Sequence, residues 1–296
     1  MELEISAGAG IEAELRTLRA DAQQRAVTEH ILALADQAGY GAALIDAVAR
    51  GHAEAAVITW PQFAHMVRAA ARGLSRRGLQ EGDTAGIFVG DAVSHAVAVH
   101  AVRAAGAMAT AVRPARSAGA IAAQLKQGRA RLLITSADLA ELAIQAAERS
   151  WVRQVFAFGE AEGTTPFDFL LQTPRHGQLH ADDTTSHNGH SDGSALEQVF
   201  DLPELELGAD RVAPQLIRRP VPRLTCRDVV VAAPPGGDPE AYTSLLDLAL
   251  AAGATVVAAP LAQITAAIGV YKGTAAIVPR GTDVPGLPAG RILAVG

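Results

Sequence analysis

Short apolar runs alternate with longer helix-like runs between residues 42 and 171, and this alternation constrains the fold more than any other feature. The best helical pattern places Phe63, Val67 and Leu74 on one face and arginines elsewhere, which predicts an amphipathic helix. Short strands that alternate with longer helices are typical of parallel sheets with helices on their faces. Strands are predicted over 84–89, 107–112, 131–135 and 153–158, and helices over 62–77, 92–105, 117–126 and 136–149.

The alternation stops at a polar stretch and then resumes. Residues 173–194 contain almost no apolar side chains, which predicts a flexible linker. The predicted fold class is therefore α/β, with two mostly parallel sheets that have helices on their faces. The predicted organisation is a helical N-terminal arm over 1–40, a first α/β subdomain over 41–172, the linker over 173–194 and a second α/β subdomain over 195–296.

The composition excludes several classes of partner. The net charge is −6, without the basic stripe that nucleic-acid binders carry, so no nucleic-acid partner is expected. No apolar run is long enough for a membrane span, and the acidic start of the chain is unlike a secretory signal. Cys226 is the only cysteine, which fits a reducing compartment and a cytoplasmic protein, and we expect it to be a partly buried structural thiol.

A series of short segments stands in a distinctive order and spacing in the first half of the chain. The segments are Ile58-Thr59-Trp60 with Phe63, Ala71-Arg72-Gly73-Leu74, Gly78-Leu79, Gly82-Asp83, Ala104-Ala105-Gly106-Ala107, residues 121–125 and 130–135, and Phe156-Ala157-Phe158-Gly159. Together they resemble the N-terminal part of the adenylate-forming enzymes, the AMP-binding group that includes acyl-CoA synthetases and 4-coumarate-CoA ligases. A helix-then-strand segment over 248–257 continues the resemblance in the second half of the chain.

The resemblance implies activation of a carboxylate with ATP, followed by transfer to a thiol. It also implies a loop rich in Ser, Thr and Gly, with a lysine that neutralises the ATP phosphates. The candidate loop, over 182–194, offers Thr184, Thr185, Ser186 and Gly189 but contains three aspartates and no lysine. Carboxylates repel a triphosphate unless a metal bridges them. We therefore expect that this loop does not bind ATP in the family manner.

Two further departures concern the rest of the catalytic machinery. The family has an aromatic and histidine segment where this chain has Ala233-Pro234-Pro235-Gly236-Gly237-Asp238. The resemblance implies a catalytic lysine in a C-terminal domain, which is expected to lie beyond residue 296. The two lysines present, Lys126 and Lys272, do not suit that role. No catalytic residue is predicted.

Two other constellations have a chemical interpretation and a structural one. Gly236 and Gly237 follow a strand and precede a helix start, where α/β proteins often bind anions, although an ordinary turn before a capped helix is favoured. Four histidines of the linker lie near aspartates, and such a set could hold zinc or nickel. A solvated loop is the favoured interpretation, and no metal site is predicted. The four histidines are His176, His180, His187 and His190.

Three hypotheses for the function follow. The favoured one is a truncated relative that has lost ATP-dependent adenylation, and for such a protein we expect no cofactor. It would act as a non-catalytic binding or regulatory protein for an acyl or carboxylate ligand. It would pair with a partner enzyme chain or with a second copy. The second is an ATP-dependent acid–thiol ligase that uses ATP, AMP and Mg, with its missing parts supplied by another chain. The third is an unrelated α/β protein that binds a small molecule.

Overall fold

The computed structural model describes residues 22–47, 56–172 and 222–295. The described helices are α1 (22–37), α2 (Trp60–Arg76), α3 (Ala92–Ala104), α4 (Ala118–Gln127), α5 (Ala140–Glu148), α6 (Asp168–Leu171), α7 (Pro239–Ala251) and α8 (Ile264–Tyr271). The described strands are β1 (Ala42–Asp46), β2 (Ala56–Thr59), β3 (Thr84–Phe88), β4 (Met108–Ala111), β5 (Ala130–Ser136), β6 (Gln154–Phe158), β7 (Thr165–Pro166), β8 (Val229–Ala232), β9 (Thr255–Ala258), β10 (Ala275–Pro279) and β11 (Ile292–Val295).

The strands form two sheets, as predicted. The smaller sheet has five parallel strands in the order β4-β3-β5-β6-β7. The larger sheet has six strands in the order β11-β10-β8-β9-β1-β2, and only the β1–β2 pair is antiparallel. The predicted α/β class with two mostly parallel sheets is therefore confirmed.

The sheets do not follow the division of the chain at 173–194. Strand β1 pairs with β9, and Leu44 lies opposite Val256 across more than two hundred residues of chain. The first strands of the chain thus complete the larger sheet together with strands from the second half. The subdomain boundaries at 41–172 and 195–296 stay a prediction, and the linker lies outside the described residues.

Both faces of each sheet are covered, because successive strand residues point to opposite sides. In β8, Val230 and Ala232 join a central core, whereas Val231 joins an outer core with α8. Helices α4 and α5 form a third core against the outer face of the smaller sheet. Helices α1, α2, α3 and α7 contribute to the central core, between the two sheets. The result is five layers that alternate helices and sheets.

Helix α1 packs on the body of the protein. Its buried residues Val27, Ile31 and Ala35 belong to the central core. The part of the predicted arm before residue 22 lies outside the described residues. Within the described ranges, no helix is both long and apolar enough to cross a membrane.

Candidate functional site

Each sheet has one reversal of strand order, a point from which later strands are added on the opposite side of the sheet. In the smaller sheet this place lies between β3 and β5, and in the larger sheet it lies between β8 and β10. Ligands of open parallel sheets bind outside the carboxyl ends of the strands at such reversals. The turn that leaves β3 and the turn that leaves β8 both line one cleft, so the two reversals meet at a single candidate site.

The β3–α3 turn, residues 89–91, is held to its neighbouring strand. The amide of Gly90 donates a hydrogen bond to Ser136 Oγ at the end of β5, over 3.2 Å. Asp91 caps α3, and its Oδ1 accepts from the amide of Ser94 over 2.7 Å. Burial raises the pKa of the Asp91 carboxyl, and its hydrogen bonds to Ser94 oppose that rise. This turn therefore has its polar groups paired within the fold.

The β8–α7 turn, residues 233–238, is longer and is fastened at its two ends. The hydroxyl of Tyr242, on α7, donates to the carbonyl of Ala233 over 2.7 Å. Asp238 caps α7, and its Oδ1 accepts from the amide of Ala241 over 3.1 Å. Pro239 follows at the first position of the helix, where its missing N–H costs nothing.

The carboxyl-end cleft is the cavity of about 220 Å³ between these two turns. Apolar side chains and backbone form most of its wall, and His95 is the only titratable residue among the described residues that line it. From the smaller sheet and the segments around it come Ile87, Phe88, Val89, Gly90, Val112, Pro114, Ala115, Leu139 and Leu142, and from the region of the second turn come Pro234, Pro235 and Pro239.

His95 joins the helices that follow the two turns. Its Nε2 lies 2.7 Å from Thr243 Oγ1, and that hydroxyl donates to the carbonyl of Pro239 over 2.8 Å. Because the Thr243 proton is used in this way, the oxygen accepts the proton on His95 Nε2. The ring of Tyr242 meets the His95 ring edge-on at 5.3 Å. Burial lowers the pKa of His95 to about 3, so the ring is neutral at physiological pH.

A second buried polar group lies deeper in the central layer. Arg103 Nη1 donates to both carboxylate oxygens of Asp247, over 3.0 and 2.8 Å. His100 Nε2 lies 3.5 Å from Asp247, and its Nδ1 lies 2.9 Å from the hydroxyl of Thr28. Burial raises the pKa of Asp247, against the opposing effect of Arg103, and burial lowers the pKa of His100. These contacts tie α1, α3 and α7 together.

The two described residues of the predicted site lie near the cleft but do not line it. Gly236 and Gly237 lie in the β8–α7 turn at the reversal of the larger sheet, and only Pro234 and Pro235 of that turn line the cleft. Asp238 already accepts the helix amide that an anion would use. Thr184, Thr185, Ser186 and Gly189 lie outside the described residues. The assignment of all six as a phosphate site stays a prediction.

The chemistry-bearing residues elsewhere are not at the cleft. Lys126 and Lys272 are exposed and do not line it. Cys226 is exposed, not partly buried as expected, because it lies in the tight turn before β8 rather than on the strand. Within the described ranges, no three His, Cys, Asp or Glu side chains lie close enough together to hold a metal ion.

Sequence reasoning missed the role of α3 in the site. The positions of His95 and His100 on a helix predict surface or helix-packing roles, and the structure buries both in hydrogen bonds to residues of other helices. The available signal was their place in an almost entirely apolar helix, where a histidine has to be paired.

Comparison with known proteins points in the same direction as the resemblance. The family model described as "AMP-binding enzyme" matches residues 35–196, more than half of the chain. No curated protein matches. Among solved structures, a luciferase-like enzyme from the mealworm Zophobas morio superposes with a TM-score of 0.62 at 12% identity, over 88% of this chain and 62% of its own.

Two bacterial or archaeal ligases superpose similarly. A long-chain-fatty-acid-CoA ligase from Archaeoglobus fulgidus gives a TM-score of 0.60 at 16% identity, over 86% of this chain and 51% of that one. A benzoate CoA ligase from Burkholderia xenovorans gives 0.58 at 17% identity, over 90% and 54%. At these identities the superpositions establish the fold, and the chain spans about half to three fifths of the length of these structures.

Proposed function

Because the chain belongs to the AMP-binding enzyme family, we propose that the carboxyl-end cleft binds a small carboxylic acid or its acyl group, and that this chain does not adenylate it unaided. The family match confirms the resemblance predicted from the sequence. The alternative of an unrelated α/β protein is therefore wrong. The proposed role is that of a non-catalytic binding or regulatory protein.

The observation that carries this proposal is the lining of the cleft. Its wall, as far as the described residues form it, is apolar, and the one titratable side chain among them is the neutral His95. At about 220 Å³ the cleft is smaller than typical ligand sites of about 300–1,000 Å³. Such a site suits an aromatic ring or a short acyl chain and is too small and too apolar for a nucleotide. A benzoate CoA ligase is among the similar structures, so benzoate is the first ligand to test.

The absence of adenylation is inferred from the residues where the family holds ATP phosphates. The stretch over 182–194 carries three aspartates and no lysine, so its charge opposes a triphosphate. At the β8–α7 turn the carboxylate of Asp238 occupies the helix start. Neither lysine of the chain lines the cleft. Each of these features removes part of the positive field that pyrophosphate release requires.

Calorimetric titration with Mg-ATP tests this inference directly. We expect no saturable heat up to millimolar ATP, and no pyrophosphate release when benzoate is added. Heat that saturates at micromolar ATP would overturn the inference. It would support the second hypothesis, an acid–thiol ligase that uses ATP and Mg with parts supplied by another chain.

Binding in the cleft is tested with benzoate and a variant that fills the cavity. Ala115 lines the cleft, and Ala115→Phe should abolish the benzoate binding that the wild type shows. The matched control is Ala123→Phe, on the exposed face of α4. Equal benzoate affinity in both variants would place the ligand elsewhere.

A regulatory role requires a protein partner, either a complete enzyme of the family or a second copy of this chain. Light scattering of the purified chain at micromolar concentration tests self-association, and a clean monomer counts against the second copy. Co-purification with a complete family enzyme, with and without benzoate, tests the other arrangement.

A further inference from the structure

A second concave site lies at the opposite end of the smaller sheet from the carboxyl-end cleft. The segments just before β3 and β4, which contain Glu81 and Gly106, form one wall of it, and helices α1 and α2 form the others. This amino-end groove has a volume of about 810 Å³, within the range of typical small-molecule sites. Five arginines line it: Arg25, Arg68, Arg72, Arg76 and Arg103.

Three of these arginines form a ladder along α2. Arg68, Arg72 and Arg76 are spaced by four residues, so they lie one above another on one helix face. Arg68 donates to both oxygens of Asp36, over 2.8 and 2.6 Å, and Arg76 donates to the carbonyl of Gln172 over 2.8 Å. Arg72, between them, has no hydrogen-bond or ion-pair partner among the described residues. The outer two guanidiniums are held in place, and the central one is available.

The base of the groove adds a buried cation. Arg103 is 5% exposed, and its Nη1 is bound to Asp247. Its buried Nε has no hydrogen-bond partner within the described part of the chain. The carboxylates of Glu29 and Glu81 also line the groove, and Glu81 is paired with Arg25. Arg25, Arg68 and Arg103 are each paired with a carboxylate, so Arg72 and Arg76 against Glu29 leave a small positive excess among the described lining residues. The chain as a whole has a net charge of −6.

The apolar part of the wall is made of small side chains. Ala71, Ala104 and Ala105 line the groove beside Leu32, so a ligand can approach the helices closely. Guanidinium forks bind phosphate through paired hydrogen bonds. A concave, positive site with an apolar base favours a small organic phosphate, whose phosphate group meets Arg72 and whose carbon part lies against the alanines.

We propose that the amino-end groove is a binding site for a phosphate-bearing small molecule, with Arg72 as the principal phosphate ligand and Arg76 beside it. The site is separate from the carboxyl-end cleft and does not depend on the function proposed for that cleft. A protein with both sites would take an apolar acid at one end of the smaller sheet and a phosphate compound at the other.

The test uses inorganic pyrophosphate as the probe, titrated into the full chain by calorimetry in low-salt buffer without divalent cations. The wild type should give saturable binding. Arg72→Ala should weaken it at least about tenfold, as expected for the loss of a hydrogen-bonded charge. Arg72→Lys should recover part of the affinity, because it restores the charge without the fork.

The control is Arg77→Ala, which removes an exposed arginine just beyond α2 that does not line the groove. It should bind pyrophosphate like the wild type. Because Arg72 is exposed, thermal unfolding of Arg72→Ala should match that of the control, and Arg76→Ala provides an independent second variant. The proposal is overturned if the wild type gives no saturable heat at millimolar pyrophosphate, or if all of these variants bind it equally. Benzoate binding should be unchanged in all of these variants, so the test of the amino-end groove is independent of the test of the carboxyl-end cleft.

Discussion

The β3–α3 and β8–α7 turns are built to the same plan and differ in what they leave available. Each follows a buried parallel strand, ends in an aspartate that caps a helix, and sends that helix into the central layer. Both aspartates are half-buried, and burial raises the pKa of Asp91. The β3–α3 turn is short and bound to β5 through Gly90. The β8–α7 turn contains two prolines and two glycines and lies partly in solvent.

The difference concerns which side chains the two turns present to the cleft. The capped helices position the cleft, and both caps are present. The longer turn supplies only Pro, Gly and Ala before its capping aspartate. The architecture is thus compatible with binding while the turn contributes no acid, base or cation directed at the cleft.

The largest expected effect is the loss of unfolding free energy at acid pH, when the two buried histidines of α3 take up protons. His95 and His100 are neutral in the folded protein because burial lowers their pKa values, whereas their ordinary value is 6.5. A lowered pKa gives stability that is fully present above 6.5 and is lost as the pH falls from there toward the folded-state value. At pH 5.5 each histidine should cost about 1.4 kcal/mol of unfolding free energy. Urea unfolding at pH 7.5 and pH 5.5 measures the loss.

The histidine contribution is isolated by difference, since Asp91 and Asp247 have raised pKa values and act in the opposite direction. His95→Gln and His100→Gln should each remove about half of the histidine effect. The variant His65→Gln, at an exposed position, is the control and should behave like the wild type. An acid response that is the same in all four proteins would contradict the burial of the two rings.

The next effect concerns the fastening of the longer turn. Tyr242→Phe removes the hydroxyl that donates to the carbonyl of Ala233, and it leaves a buried acceptor without its partner. We expect a loss of about 1–3 kcal/mol in unfolding free energy. Benzoate affinity should fall as well, because the turn lines the cleft. Tyr40→Phe, whose ring is 83% exposed, should change neither quantity, and a Tyr242→Phe variant as stable as this control would show that the turn is held by other contacts.

The elements themselves could be predicted closely from the sequence. The apolar runs of β3, β5 and β6 are bounded by glycines or polar residues, and the observed strand ends agree with the predicted ones within about two residues, as local patterns allow. Asp238, Pro239 and Glu240 are typical of a helix start, with the cap, the first position and the first turn in that order, and the structure confirms this start for α7. These features depend on residues that are adjacent in the chain, so they can be predicted from the local sequence.

The features that could not be predicted from the sequence depend on residues that are distant in the chain. The pairing of β1 with β9 joins segments separated by the whole middle of the chain. The burial of His95 depends on Thr243 and Tyr242 of another helix. The arginine ladder was visible as a polar helix face, but only the packing of α1 and α3 beside it forms a groove. Local periodicity carries no information on these contacts.

A smaller effect distinguishes the two caps. Asp91→Ala and Asp238→Ala each remove an acceptor for a helix amide and should cost about 1 kcal/mol. Asparagine caps helices about as well as aspartate, so Asp238→Asn should be neutral. Asp91→Asn should raise the unfolding free energy at pH 8, because the raised pKa of Asp91 means that burial disfavours its charged form. Equal responses of the two Asn variants at pH 8 would count against the raised pKa of Asp91.

The smallest effect compares the glycines of the two turns. A methyl group at Gly90 would lie 3.1 Å from Asp138 Oδ2, so Gly90→Ala has to displace that side chain. A methyl group at Gly237 would meet nothing within 4 Å, and the backbone there is outside the left-handed region. Gly237→Ala should therefore stabilise the protein by about 0.4–1 kcal/mol through the unfolded state, whereas Gly90→Ala should give no gain. Thermal unfolding of both variants measures the contrast. A loss of stability in Gly237→Ala would mean that the longer turn is as tightly constrained as the shorter one, and the two turns would no longer differ in the conformational freedom of their backbone.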